Sequence, residues 1–272
     1  RWKIFITLFF YSSVLIGQII KGYDGKGSYI KLNEVDFYYE TIGEGKPVVM
    51  LHGGLGNSGY YSKIVDSLQH HYKLILFDTR GHGRSKGNET YFNYHILAND
   101  VHEFIKKIKL KDIVVIGHSD GGIIGYILAY KHPQSLSKLI TIGANYAVEA
   151  YTEEIAKITA ELTPELIEEK WKVKTSYKAL NPHPEHYNVW ATTVLKMWNN
   201  HYGINDEDIK KITTPTLIIV GDQDGFAKLD HFFQLYNLLP SGNLFVIPDA
   251  GHSPFNTNST LFNSEVIRFI NK

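Results

Sequence analysis

This chain of 272 residues is patterned for an α/β architecture, a mostly parallel central sheet with helices on both faces. Short continuous runs of apolar, often β-branched residues recur along it, the pattern of strands buried on both sides. Amphipathic stretches of helical length lie between them. Strands alternating with helices imply parallel pairing, with crossovers packed over each face of the sheet.

In order along the chain, residues 28–32 and 35–41 alternate apolar and polar side chains around a turn at Asn33-Glu34, which reads as a hairpin. Buried strands follow at 47–51, 74–77, 113–116, 139–142, 216–220 and 244–247, with helices expected at 60–70, 94–108, 123–132, 229–239 and 261–270. The rhythm breaks once. Between Asn145 and Thr214 no strand is expected, only helical segments rich in Glu, Lys, Trp and Tyr. Too long for a bare loop in a compact domain, this stretch reads as a helical insertion over the carboxyl ends of the strands, where open α/β sheets place ligands. The division is then a core in two parts, 21–145 and 213–272, interrupted by the insertion at 146–212.

Residues 1–20 stand apart. Arg1-Trp2-Lys3 is basic, and residues 4–20 carry no charge and are nearly all apolar or small. That is the build of a secretory signal peptide, which predicts an exported protein, periplasmic or secreted. The alternative is an uncleaved N-terminal membrane anchor, because about 17 apolar residues is the lower limit for spanning.

Composition narrows the function. Lys plus Arg number 28, as do Asp plus Glu, so the formal net charge is +0. Balanced charge without a basic cluster argues against a nucleic-acid partner. The chain has no cysteine, which excludes disulfides, thiolate metal sites and a cysteine nucleophile. His183 and His186 share an insertion segment, but read as having no carboxylate or thiol partner nearby they predict no metal site.

The chemistry concentrates at Gly117-His118-Ser119-Asp120-Gly121, between a β-branched run and a helix-like run. A serine hydroxyl becomes a nucleophile only if held exposed beside a base, with hydrogen-bond donors waiting for the oxyanion. A sharp strand-to-helix elbow with glycine two residues to either side does the holding. The base must be an imidazole, and the imidazole needs a carboxylate to fix its tautomer. His252, just past the last strand, supplies the first. Asp222 and Asp224, just past the strand before it, are both candidates for the second.

From about residue 28 to its C-terminus the chain resembles the α/β-hydrolase fold superfamily, specifically its capped, esterase-like members. Four motifs carry the likeness: Leu51-His52-Gly53-Gly54, the Asp78-Thr79-Arg80-Gly81-His82-Gly83-Arg84-Ser85 run, the elbow, and the pair formed by residues 221–224 with Gly251-His252. The resemblance implies a triad of Ser119, Asp224 and His252, with Asp224 preferred over Asp222 by its position relative to Gly221. It also implies an oxyanion pocket from the amides of Gly54 and Asp120. His52, His82 and His118 are expected to hydrogen-bond loop backbone rather than react, and Arg80 to stabilise the glycine-bearing turn around it.

The resulting expectation is a serine hydrolase cleaving a small, apolar carboxylic ester through an acyl-enzyme on Ser119, without cofactor or metal. Its partner is the small-molecule substrate, and a membrane only if the leader is uncleaved. The alternatives are a C–C bond hydrolase or lyase using the same triad, and a receptor-like protein with little turnover. Of Tyr146, Tyr151, Trp171, Tyr177, Tyr187, Trp190, Trp198 and Tyr202, two or three are expected to face the substrate.

Overall fold

A computed structural model describes residues 26–87 and 91–272. The expected leader therefore lies outside the described residues. Eight strands form one sheet: β1 (Ser28–Leu32), β2 (Val35–Ile42), β3 (Lys46–Leu51), β4 (Tyr72–Phe77), β5 (Val114–His118), β6 (Lys138–Ile142), β7 (Thr216–Gly221) and β8 (Gly242–Ile247). Their order is β1-β2-β4-β3-β5-β6-β7-β8. The β1–β2 and β2–β4 pairs are antiparallel and all the others are parallel. The hairpin at the edge and the parallel body are thus both as the sequence pattern implies.

The helices are α1 (Ser62–Leu68), α2 (Tyr94–Ile108), α3 (Asp120–Lys131), α4 (Glu153–Glu161), α5 (Pro164–Trp171), α6 (Val173–Leu180), α7 (Tyr187–Trp198), α8 (Asp206–Lys210), α9 (Leu229–Leu238), α10 (Pro254–Thr257) and α11 (Ser259–Asn271). The strand period of two sorts side chains between two cores. Val49, Leu51, Ile75 and Val115 join α2, α3 and α9 in one. Val48, Met50, Leu74 and Ile116 join α1 and α11 in the other.

Residues 146–212 hold α4 to α8, and their buried Ile167, Tyr177 and Trp190 are continuous with the first core. A single antiparallel bridge, Tyr151 to Ala227, ties the start of this segment to the loop before α9. Among the described residues no helix is long and apolar enough to cross a membrane.

Because the sheet is mostly parallel, the loops that follow β3, β5, β6, β7 and β8 all emerge along one rim. Gly54, Ser119, Asp222, Asp224 and His252 sit in these loops, and Asp120 opens the helix that follows one of them.

Candidate active site

The chain turns from β5 into α3 at Ser119, whose φ of 51° and ψ of −118° lie where residues other than glycine are rarely found. Three backbone hydrogen bonds hold it there. Its N–H donates to the Ile142 carbonyl at 2.8 Å, and its own carbonyl accepts from Gly122 at 2.8 Å and Ile123 at 3.1 Å. Side chains on the flanking glycines would destroy the turn: a Cβ on Gly117 would strike the backbone of Gly121, and one on Gly121 would strike the Leu51 carbonyl. The first two amides of α3, those of Asp120 and Gly121, have no preceding helical turn to bond to, and the positive end of the helix dipole points at the same spot. Negative charge developing beside Ser119 is therefore favoured before any side chain contributes.

Three distant residues meet here. His252 Nε2 lies 3.0 Å from Ser119 Oγ, and its Nδ1 lies 3.1 and 3.0 Å from the two carboxylate oxygens of Asp224. The carboxylate is 2% exposed and the imidazole 13%, so their interaction is poorly screened. Asp224 Oδ1 also accepts from the Phe226 N–H at 2.9 Å, and the Phe226 ring stacks on the imidazole with centroids 4.1 Å apart. Asp222, the other candidate acid, instead accepts from the Ala250 N–H at 3.2 Å. It shapes the loop that carries His252 and does not touch the ring.

His118 and His52 hold backbone, as expected. His118 Nε2 donates to the His252 carbonyl at 2.9 Å. Burial, followed by the neighbouring His252, holds His118 well below the usual imidazole range, so it stays neutral beside an imidazole that must become charged. Tyr60 stacks on His118 and shares a hydrogen bond of 3.0 Å with Ser253. His52 Nδ1 donates to the Gly53 carbonyl at 2.8 Å, while its Nε2 accepts from the Thr79 N–H at 3.2 Å. Burial lowers its pKa to about 4.

The turn after β4 departs from expectation. Its glycine-bearing curve is held by the buried Asp78 carboxylate, which accepts the N–H groups of Ser58 at 2.5 Å and Arg84 at 2.8 Å. Arg80 points away and makes a two-pronged pair with Asp100 of α2, at 2.7 and 2.5 Å. It fastens the loop to a helix rather than bracing the turn, as a planar guanidinium facing a carboxylate favours.

Gly54 and Asp120 line a cavity of about 120 Å³ together with Ser119 and His252. The walls are mostly apolar. Of the eight aromatics from the insertion, Tyr151, Trp171 and Trp198 reach this cavity. Tyr177, Tyr187 and Trp190 pack on one another instead. Tyr60 and Phe226 also line it, and sequence reasoning passed over both. Phe226, two residues beyond Asp224, was the one with a positional signal.

The side chain of Asp120 was missed as well. Only its amide was expected to matter, yet its buried carboxylate accepts from the Tyr94 hydroxyl at 3.0 Å and from Trp198 Nε1 at 2.8 Å. Burial raises its pKa to about 6, against the pull of those two donors.

His183 and His186 do have a carboxylate neighbour, contrary to the sequence reading: Glu185 Oε1 lies 3.6 Å from a nitrogen of each. Ligand atoms of the three fall within 4.8 Å of one another. The two rings stack at 5.1 Å with 18° between their planes.

Comparison with known proteins gives a consistent frame. A family model described as alpha/beta hydrolase fold matches residues 46–170. The chain is 26% identical over 279 residues to an AB hydrolase superfamily protein of Bacillus subtilis, covering 90% of this chain and 99% of that one. It is 24% identical to a pimeloyl-(acyl-carrier protein) methyl ester esterase of Vibrio vulnificus, covering 87% and 99%. Among solved structures, a meta-cleavage product hydrolase from Pseudomonas fluorescens superimposes with a TM-score of 0.77 at 21% identity, covering 90% of this chain and 97% of that one. With the order of its sheet and the loops that rise from one rim, the chain has the α/β-hydrolase fold, and its residues 46–170 match the family model of that description.

Proposed function

We propose that this protein is a serine hydrolase that cleaves small, largely apolar carboxylic esters through an acyl-enzyme on Ser119. One observation carries the reading: the unbroken chain from Ser119 Oγ through His252 to Asp224, at 3.0 Å on each side of the imidazole, opening on an apolar cavity. His252 Nε2 takes the proton as Ser119 Oγ attacks the carbonyl carbon. Asp224 holds the Nδ1–H tautomer and stabilises the imidazolium. The amides of Gly54 and Asp120 receive the oxyanion, each donor worth about 10²–10³ in rate. His252 then protonates the leaving alcohol, and in the second half activates water to release the acid.

An ester rather than another bond is supported by the pimeloyl-(acyl-carrier protein) methyl ester esterase among the relatives. Apolar substrate character is supported by Leu55, Trp171, Val173 and Phe226 in the cavity wall. The test has two parts. A fluorophosphonate should label the purified protein at Ser119 with one-to-one stoichiometry, and p-nitrophenyl esters of graded chain length should be turned over, short and medium chains fastest. Absence of labelling overturns the hydrolase reading in favour of a ligand-binding protein. Labelling without turnover of any ester overturns the ester reading in favour of C–C bond cleavage or lyase chemistry at the same serine.

A further inference from the structure

We propose that Trp198, the last residue of α7, is a positioning residue that braces both oxyanion amides from outside the sheet. The proposal rests on the serine-hydrolase reading above and assigns to the insertion a part in the chemistry as well as in forming the pocket wall.

Gly54 and Asp120 belong to separate loops, after β3 and after β5. Each amide is useful only if the other is held at the right spacing, because the oxyanion must meet both at once. One side chain touches both loops. Trp198 Nε1 donates to Asp120 Oδ2 at 2.8 Å, and the indole lies directly on Gly54, where an added Cβ would collide with its six-membered ring. That same Cβ position is 2.6 Å from Asp120 Oδ2, so Gly54 sits in a slot between indole and carboxylate. Tyr94, the first residue of α2, closes the other side by donating to Asp120 Oδ1 at 3.0 Å. The carboxylate is thus clamped by one donor from the core and one from the insertion. A buried carboxylate with two fixed donors is a rigid strut, since loss of either donor leaves an oxygen without a partner.

A bare wall role makes a different prediction. If Trp198 only lined the cavity, Trp198→Phe would keep a flat apolar surface there and lose little beyond some substrate affinity. If it braces the amides, the lost N–H matters in the transition state alone.

The experiment compares wild type, Trp198→Phe, Asp120→Ala and the double variant, each verified as folded by thermal melting. Kinetics on p-nitrophenyl acetate should give about a tenfold lower kcat for Trp198→Phe, with KM within about twofold. Affinity for a trifluoromethyl ketone, which forms an oxyanion on Ser119, should fall by a similar factor, while that for a neutral alcohol should not change. The double variant should lose no more than Asp120→Ala alone, because both break one clamp. A raised KM with unchanged kcat, or losses that multiply, overturns the brace. Hydrogen exchange of the peptide containing residues 53–56 supplies a readout independent of turnover: faster exchange in Trp198→Phe supports the brace and unchanged exchange overturns it. Failure of wild type to react with a fluorophosphonate would instead overturn the hydrolase reading, with the exchange result still deciding the brace.

Discussion

The helix that leaves the elbow and the first two helices of the insertion are built by opposite rules. Ten of the twelve residues of α3 are buried, from Asp120 to Ala129 without a break, and its neighbours are β5, β6 and α2. Only Thr159 is buried in α4 and only Ile167 in α5. The element that carries the strained serine is enclosed on every side, which is what a strained backbone requires in order to persist. Helices α4 and α5 rest on few buried side chains, the condition for low local stability and easy sequence change, whereas α7, which carries Trp198, buries six of its twelve residues. Ser119 thus lies at the edge of the rigid region and α4 and α5 in the loosely held one, with Trp198 of α7 reaching across to Asp120.

The sharpest way to break this division is Ser119→Ala. Turnover should fall by about 10⁴-fold or more, while the melting temperature stays level or rises, because the change removes a hydroxyl without leaving a core cavity. A collapse in melting temperature would make the position structural. Next is the choice of acid. Asp224→Asn should lower kcat by about 10⁴-fold by favouring the wrong imidazole tautomer, and Asp222→Asn should stay within about threefold, since its carboxylate accepts the Ala250 N–H and an amide oxygen can do the same. The reverse ranking in steady-state kinetics would transfer the role to Asp222.

A stability pair tests the packing contrast itself. Ile127 of α3 is fully buried, so Ile127→Ala should cost about 3 kcal/mol in urea unfolding. Ile158 of α4 is half-buried, and Ile158→Ala should cost less than about 1 kcal/mol. Equal losses would mean that the insertion is as tightly built as the core.

The same contrast explains what could be read in advance. Continuous apolar runs and the alternation of the hairpin are local signals, so the strands were legible, and with the elbow glycines and the place of His252 after the last strand so was the meeting of Ser119 with His252. The start of α3 was not. The apolar run puts the helix at residue 123, yet it begins at Asp120 and takes in Gly121 and Gly122. Enclosure outweighs the glycine penalty of about 1 kcal/mol each. The clamp on Asp120 was equally hidden, because Trp198 is 78 residues away and helical periodicity reveals an apolar face without revealing what it will meet. Glu185 was overlooked beside His183 and His186 although it lies between them in sequence.

The junction between the two regions carries a pH dependence whose sign follows from one hydrogen bond. His231 of α9, buried in the scaffold, accepts the Tyr146 N–H on its Nε2 at 3.2 Å, just where the chain leaves β6 for the insertion. Burial lowers its pKa from 6.5 to about 4, and protonation of Nε2 would turn the acceptor into a donor facing an N–H. The unfolded chain binds this proton first as pH falls. The stabilisation is therefore complete above pH 6.5 and is lost as pH drops toward 4, by about 2 kcal/mol at pH 5. His231→Gln offers the same N–H a carbonyl acceptor and cannot titrate. Urea unfolding at pH 5 and pH 7.5 should accordingly differ by about 2 kcal/mol less in the variant than in wild type. Hydrogen exchange near Tyr146 should quicken in acid only in wild type. Identical pH profiles for the two proteins would show that the scaffold grips the start of the insertion by packing alone, with no contribution from this imidazole.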